Sequence, residues 1–214
     1  MSLLKTEHIS FQIEEQTILS DITISFDKGS HTTITGPSGS GKSTLLKLLA
    51  SLLTPTKGKV LLNDQDIMAL APENYRMKVS YCFQQPSLFG ETVRDNFMFP
   101  YEVRKKDFQK SHILELLKEV KLPKSYLDKK ITELSGGEKQ RVALIRNVIF
   151  LPEVLLLDEV TAGLDEESKA IVNQWLLQLN QEKGITLIRV THDAQEIAQS
   201  AIVKKIVAGR LEEA

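Results

Sequence analysis

A single cysteine, Cys82, stands among the 214 residues, so no intrachain disulfide can form, and a reducing, cytosolic setting is expected. Excess charge of one sign is missing too. The 27 Lys and Arg nearly balance the 28 Asp and Glu, for a net charge of −1, which offers no general field for nucleic acid, and none is expected as a partner. No apolar run approaches the ~20 residues needed to cross a bilayer. The N-terminal MSLLKTEHISFQ has neither the apolar stretch nor the small-residue cleavage site of a secretory leader. Any membrane role is therefore expected to come through a partner. Internal repeats and low-complexity tracts are also lacking. What is present is an apolar fraction of 42% and a charged fraction of 26%, enough for a sizeable core under an ordinary surface. This suits one large α/β domain or a core domain with a subdomain.

Along the chain, His8–Ile13, Ile22–Phe26 and Thr32–Thr35 alternate or run β-branched and predict short strands, with a turn at Asp27-Lys28-Gly29. Leu45–Leu53 is apolar on a helical period and stops before Pro55. Lys59–Leu62 and Val79–Phe83 predict further strands, the second ended by Gln84-Gln85-Pro86. From about Ser87 to Phe150 the strand pattern disappears and helical periods dominate, as in Phe108–Lys121 and Glu138–Ile149. Strand texture returns at Val154–Leu157, followed by a helix over Glu166–Lys183, a strand over Ile185–Val190 and a small strand near Ile206–Ala208. The alternation implies a parallel sheet covered on both faces. The expected division is a core of residues 1–86 and 151–214 around a helical subdomain of about 87–150.

Gly36-Pro37-Ser38-Gly39-Ser40-Gly41-Lys42-Ser43-Thr44 fits G-x-x-x-x-G-K-S/T in full, between a strand and a helix. Glycines let the backbone wrap a polyphosphate, successive N–H groups point inward, and the following helix adds its positive end. Lys42 is expected to reach the β- and γ-phosphates of ATP, Ser43 to ligate Mg2+, and Thr44 to lie near the α- and β-phosphates. A bland Gly/Ser-rich turn would not need these flanks. Val154–Leu157 ends in Asp158 and Glu159, at the strand end that opens on the ligand crevice of a parallel sheet. Asp158 is expected to hold the metal and Glu159 to act as general base on the attacking water. The plainer alternative is a strand end meeting solvent.

Leu134-Ser135-Gly136-Gly137-Glu138-Lys139-Gln140-Arg141 narrows the class. Read locally, Ser135 with Glu138 three residues on is a capping box, and the two glycines leave N–H groups open at a helix N-terminus. Residue for residue, the run also resembles the signature motif of ABC-type ATP-binding subunits. The resemblance covers about residues 3–212. It implies a P-loop NTPase core with a mostly parallel sheet, a small N-terminal antiparallel β-subdomain and an inserted α-helical subdomain. It implies further that Ser135, Gly136 and Gly137 contact the γ-phosphate held by a second copy of the chain, in a head-to-tail, ATP-dependent dimer. By the same resemblance Gln84 occupies the Q-loop position, meeting the metal or the attacking water. His192 is the switch histidine at the γ-phosphate, and Asp165 closes a D-loop in which Ala162 and Gly163 replace the usual Ser and Ala. Tyr81 and Trp175 read as packing.

One family feature is displaced. The aromatic that stacks on adenine falls near Ile13, with Phe11 two residues earlier on the same strand face as the other candidate. Weak stacking would loosen discrimination between ATP and GTP. Within the family, VSYCFQQPSLFGETVRDNFMFPYEVR with LSGGEKQR and LIRN looks most like the FetA/YbbL-type subgroup, described as bacterial iron exporters paired with a separate permease. That implies a peripheral subunit at the cytoplasmic face of the membrane. The alternative is an importer or exporter of another small solute. Phe89–Pro100 is the candidate groove for a permease helix, and a charge at Phe97 is expected to uncouple transport while sparing ATP binding. Three other classes fit less well. Repair or chromosome ATPases carry long coiled coils, whereas only roughly ninety residues separate Lys42 from Ser135. Translation-associated ABC proteins carry two cassettes, and a GTPase would need an N-K-x-D run.

Overall fold

The computed structural model describes residues 2–212; Met1, Glu213 and Ala214 lie outside them. Ten strands and seven α-helices are built from this stretch. The chain divides into two compact units. One comprises the chain up to Tyr81, Pro152–Glu159 and the chain from Asn180; the other comprises Cys82–Leu151 and Val160–Leu179.

The first unit holds two sheets. β1 (Ser2–Ile13), β2 (Gln16–Asp27), β4 (Lys57–Leu62) and β5 (Gln65–Asp66) form an antiparallel sheet in the order β2-β1-β4-β5. β3 (His31–Thr35), β6 (Val79–Cys82), β7 (Val154–Asp158), β8 (Thr186–Val190), β9 (Ile202–Val207) and β10 (Arg210–Glu212) form the second, in the order β10-β9-β3-β8-β7-β6. β9, β3, β8 and β7 run parallel, and β10 returns antiparallel to β9. Every residue of β7 and β8 is buried, as strands covered on both faces should be. α1 (Lys42–Leu49) puts Leu45, Leu46, Leu48 and Leu49 into a core shared with Ile34, Leu156, Ile188 and Val190. The helix stops at Leu49 rather than Leu53. Ser51 takes a left-handed backbone and Leu52 is exposed, so the helical period outruns the helix. α2 (Pro72–Lys78) and α7 (Ala194–Ala198), too short to carry a clear period, are additions to the sequence reading.

The second unit is helical. α3 (Val93–Val103), α4 (Lys110–Glu119) and α5 (Gly136–Val148) bury Phe97, Tyr101, Ile113, Leu117, Val142 and Ile145. The first part of α6 (Glu166–Lys183) belongs here as well, and Trp175 Nε1 donates to Glu119 Oε2 at 2.8 Å. Phe97 is fully buried, which overturns its expected place on a docking groove. A charge there would be stranded in the core. The exposed aromatics of this stretch are Phe89 and Phe99, packed edge to face at 5.1 Å between centroids.

Candidate functional site: a phosphate cradle and a second helix N-terminus

Residues 36–44 bridge the end of β3 and the start of α1. Gly36 has φ of 141°, and a Cβ there would run into the Ile206 carbonyl of β9, so no other residue fits. No side chain caps α1, which leaves the first-turn N–H groups of Lys42, Ser43 and Thr44 uncapped. Ser40 Oγ is buried in the same loop with no hydrogen-bond partner among the described residues. Lys42 is buried, and its Nζ donates to the carbonyls of Gly36 at 2.9 Å and Pro37 at 2.8 Å. Burial lowers the ammonium pKa, opposed by the nearby Glu159 and Asp158 carboxylates. One of its three donors remains for an anion. Open N–H groups, an orphaned hydroxyl and a buried cation fit a polyphosphate.

Asp158 closes β7 beside this loop and is 6% exposed. Its Oδ1 accepts from Ser43 Oγ at 2.8 Å and its Oδ2 from the Tyr81 hydroxyl at 2.6 Å. One carboxylate and one hydroxyl make the sparse oxygen set that Mg2+ completes with phosphates and water, and they fit that ion. Glu159 follows with φ of 49°, its N–H donating to the Val190 carbonyl at 3.1 Å. A left-handed backbone at a non-glycine residue costs on the order of 1 kcal/mol and concentrates at functional sites. Glu159 Oε1 lies 3.3 Å from His192 Nε2, so the structure brings these two expected residues together.

The turn that carries His192 is braced from within. Thr191 Oγ1 accepts from the Asp193 N–H at 3.1 Å and donates to Glu196 Oε2 at 2.5 Å. The same oxygen lies 3.6 Å from Arg189 Nη1, with Arg189 and Glu196 2% and 1% exposed. Asp193 in turn caps α7, accepting from the N–H groups of Gln195 and Glu196. Burial first, then Arg189, presses the neighbouring His31 down to about 4, with Glu196 opposing. The brace is not evident from local spacing in the sequence. Its signal was Arg189 itself, a charge inside an apolar strand run, which must find a partner when buried.

In the second unit, Ser135 caps α5 in a complete capping box. Its Oγ accepts from the Glu138 N–H at 3.3 Å, and Glu138 Oε2 accepts from the Ser135 N–H at 2.8 Å. Tyr126 donates to the other Glu138 oxygen at 2.5 Å. Gly137 lies against Ser168, where a Cβ would collide with the side chain. Ser168 donates its N–H to Asp165 Oδ1 at 2.8 Å and accepts from Arg141 Nη1 at 3.3 Å. Ser135–Gly137 and Asp165 are thus gathered within this unit. Gln84 also belongs to it and is exposed, two residues past the end of β6.

Phe11 and Ile13 part company. Register shifts interrupt β1 on either side of Phe11, so the expected shared face is broken. Phe11 is 9% exposed and packed in the core, whereas Ile13 is 57% exposed at the hairpin end.

Residues 19–162 match the family model described as "ABC transporter". The chain belongs to the ABC transporter family. It is an ATP-binding and ATP-hydrolysing subunit of the ABC type, with the P-loop α/β core and N-terminal antiparallel sheet of that class. Among its relatives is the protein named "Probable iron export ATP-binding protein FetA" of Escherichia coli K12, 46% identical over 214 residues that cover 99% of this chain and 95% of that protein. The spermidine/putrescine import ATP-binding protein PotA of Chromobacterium violaceum is 37% identical over the whole chain, which spans 59% of it. The dimeric ATP-binding cassette MJ0796, in a post-hydrolysis state with ADP and phosphate, superposes with a TM-score of 0.88 at 28% identity, covering 99% of this chain and 97% of that one. Among the described residues no helix is long and apolar enough to cross a membrane.

Proposed function

We propose that this ATPase works as a pair of identical chains on a membrane permease, and that its cargo is a metal ion, most specifically iron for export. One observation carries the catalytic part: Glu159 and His192 meet at 3.3 Å beside a loop whose lysine and serine sit with Asp158. In this reading the loop N–H groups and Lys42 hold the β- and γ-phosphates of ATP. Ser43 and Asp158 would hold Mg2+, which would supply charge neutralisation for those phosphates. Glu159 takes the proton of the attacking water, and His192 orients the γ-phosphate and holds the Glu159 carboxylate. Ser135, Gly136 and Gly137 serve the phosphate of the second copy, an arrangement supported by the dimeric cassette MJ0796. Ile13, exposed and aliphatic, is the remaining cover for the base.

The permease reading rests on family membership and on exposed Phe83, just before Gln84, and exposed Phe89 and Phe99 after it. That surface would receive a permease helix and place the chain at the cytoplasmic face of the membrane. Iron export is supported by FetA, related along nearly its whole length. Polyamine or another small-solute transport is the second reading, favoured by the relation to PotA. The test is Glu159→Gln. It should bind ATP, associate into dimers in ATP, and hydrolyse at least ~100-fold more slowly, the scale of a lost general base. A variant that stays monomeric in ATP and turns over normally overturns the assignment.

A further inference from the structure

Asp158 has two oxygens and two different hydroxyl donors. Ser43 Oγ donates to Oδ1 at 2.8 Å and the Tyr81 hydroxyl to Oδ2 at 2.6 Å. An Asp carboxylate turns softly about its last torsion. A single donor on one oxygen leaves that pivot free, and a second donor on the opposite oxygen removes it. A hydroxyl donating to a carboxylate makes a charge-assisted bond, stronger than its neutral counterpart. The Tyr81 ring is itself fixed, because it packs against the hydrophobic core from β6, the strand next to β7. With each carboxylate oxygen offering about two acceptor sites, both keep room for a metal-bound water.

We infer that Tyr81 is a positioning residue for the divalent cation: its hydroxyl sets the orientation in which Asp158, together with Ser43, presents its oxygens to the metal. This rests on the reading of Asp158 and Ser43 as the Mg2+ residues and adds a third group to them. It also gives the strand three residues before Gln84 a direct tie to the metal-holding carboxylate.

The experiment measures binding of a non-hydrolysable ATP analogue to the full chain while Mg2+ is titrated, and separately in EDTA. Tyr81→Phe keeps the packed ring and removes the hydroxyl. It should raise the half-saturating Mg2+ concentration about 10-fold, the lower end of the cost of losing an outer-sphere partner, with EDTA affinity unchanged. Tyr81→Met, which loses the hydroxyl and changes shape, should show the same Mg2+ shift; a shift in Tyr81→Met alone assigns the effect to packing and overturns the inference. An unchanged Mg2+ midpoint in Tyr81→Phe, or a parallel loss in EDTA, also overturns it. Asp158→Asn separates the two levels. If it too leaves the Mg2+ midpoint unmoved, the metal assignment fails; if it shifts the midpoint and Tyr81→Phe does not, only the role of Tyr81 fails.

Discussion

The starts of α1 and α5 are both helix N-termini set behind small residues, and they solve the same electrostatic problem in opposite ways. α1 has no side-chain cap, and its N-cap position is Gly41. α5 closes on itself through Ser135 and Glu138, with Glu138 held further by Tyr126. An uncapped first turn leaves its N–H groups and half-charge unspent. The Glu159 and Asp158 carboxylates act instead on the Lys42 ammonium, opposing the lowering of its pKa by burial. α1 is therefore a terminus whose partner must arrive from outside. α5 needs no ligand for its own stability. Only the N–H groups of Gly136 and Gly137 stand outside its box, with no Cβ at either residue to obstruct an approaching phosphate. On the proposed reading, one terminus binds the nucleotide and the other is a stable face that a second copy meets. This asymmetry agrees with a site shared between two chains.

The sharpest way to break this comparison is Lys42→Ala. The ammonium ties together the carbonyls of Gly36 and Pro37 at the mouth of α1, and its remaining donor is the one proposed to meet the phosphates. Loss of its charged hydrogen bond to the phosphates, at about 1.5–3 kcal/mol, should weaken nucleotide binding by on the order of 10- to 100-fold. Calorimetric titration with an ATP analogue, and disappearance of the stabilisation that nucleotide gives in thermal unfolding, read this directly. If binding survives, α1 is not the terminus that carries the nucleotide.

Much of this contrast was legible before any coordinates. The loop residues 36–44, the acidic end of β7 and the capping box at Ser135 are contiguous in the chain, and local spacing reports local geometry. The bounds of α6, Glu166–Lys183, also follow from a long, strong period. What the sequence hid is what depends on distant partners or on a change of register. Tyr81 looks like strand packing until Asp158, 77 positions away, is seen at its hydroxyl. The brace of Arg189, Glu196 and Thr191 needs a strand and a helix brought face to face. Phe11 and Ile13 share a face only if β1 is regular, and shifts in pairing make it irregular. Phe97 and Phe99 differ by two positions on a helix, so one falls inside and the other outside. A run of apolar letters does not show which.

A smaller effect sharpens the α5 side. Gly137→Val puts a branched side chain where Ser168 sits. Ser168 holds Asp165 through its N–H and meets Arg141 through its hydroxyl. The displacement should slow ATP hydrolysis by about 10-fold, a modest share of what a 1 Å misplacement can cost, with nucleotide affinity of the single chain unchanged within ~2-fold because α1 is untouched. Steady-state turnover and analogue binding on the same preparation separate the two. A fall in affinity matching the fall in turnover would mean that the two termini are not independent.

The smallest effect concerns stability and tests the cap itself. Ser135→Ala removes the hydroxyl that accepts from the Glu138 N–H and loosens the return bond from the Ser135 N–H to the Glu138 carboxylate. The loss should be about 1 kcal/mol, or roughly 2–4 °C in the melting temperature of a chain of this size. Ser43→Ala is the contrasting change, since α1 takes no cap from a side chain. Its hydroxyl donates to Asp158 rather than to the helix, so helix stability should hold while the Mg2+ requirement for nucleotide binding rises. Thermal unfolding without nucleotide distinguishes them: Ser135→Ala melts earlier and Ser43→Ala does not. Equal melting of the two would mean that the box at α5 contributes nothing to the fold. Ser135 would then stand at its helix as Ser43 does at α1, kept for a phosphate rather than for the helix.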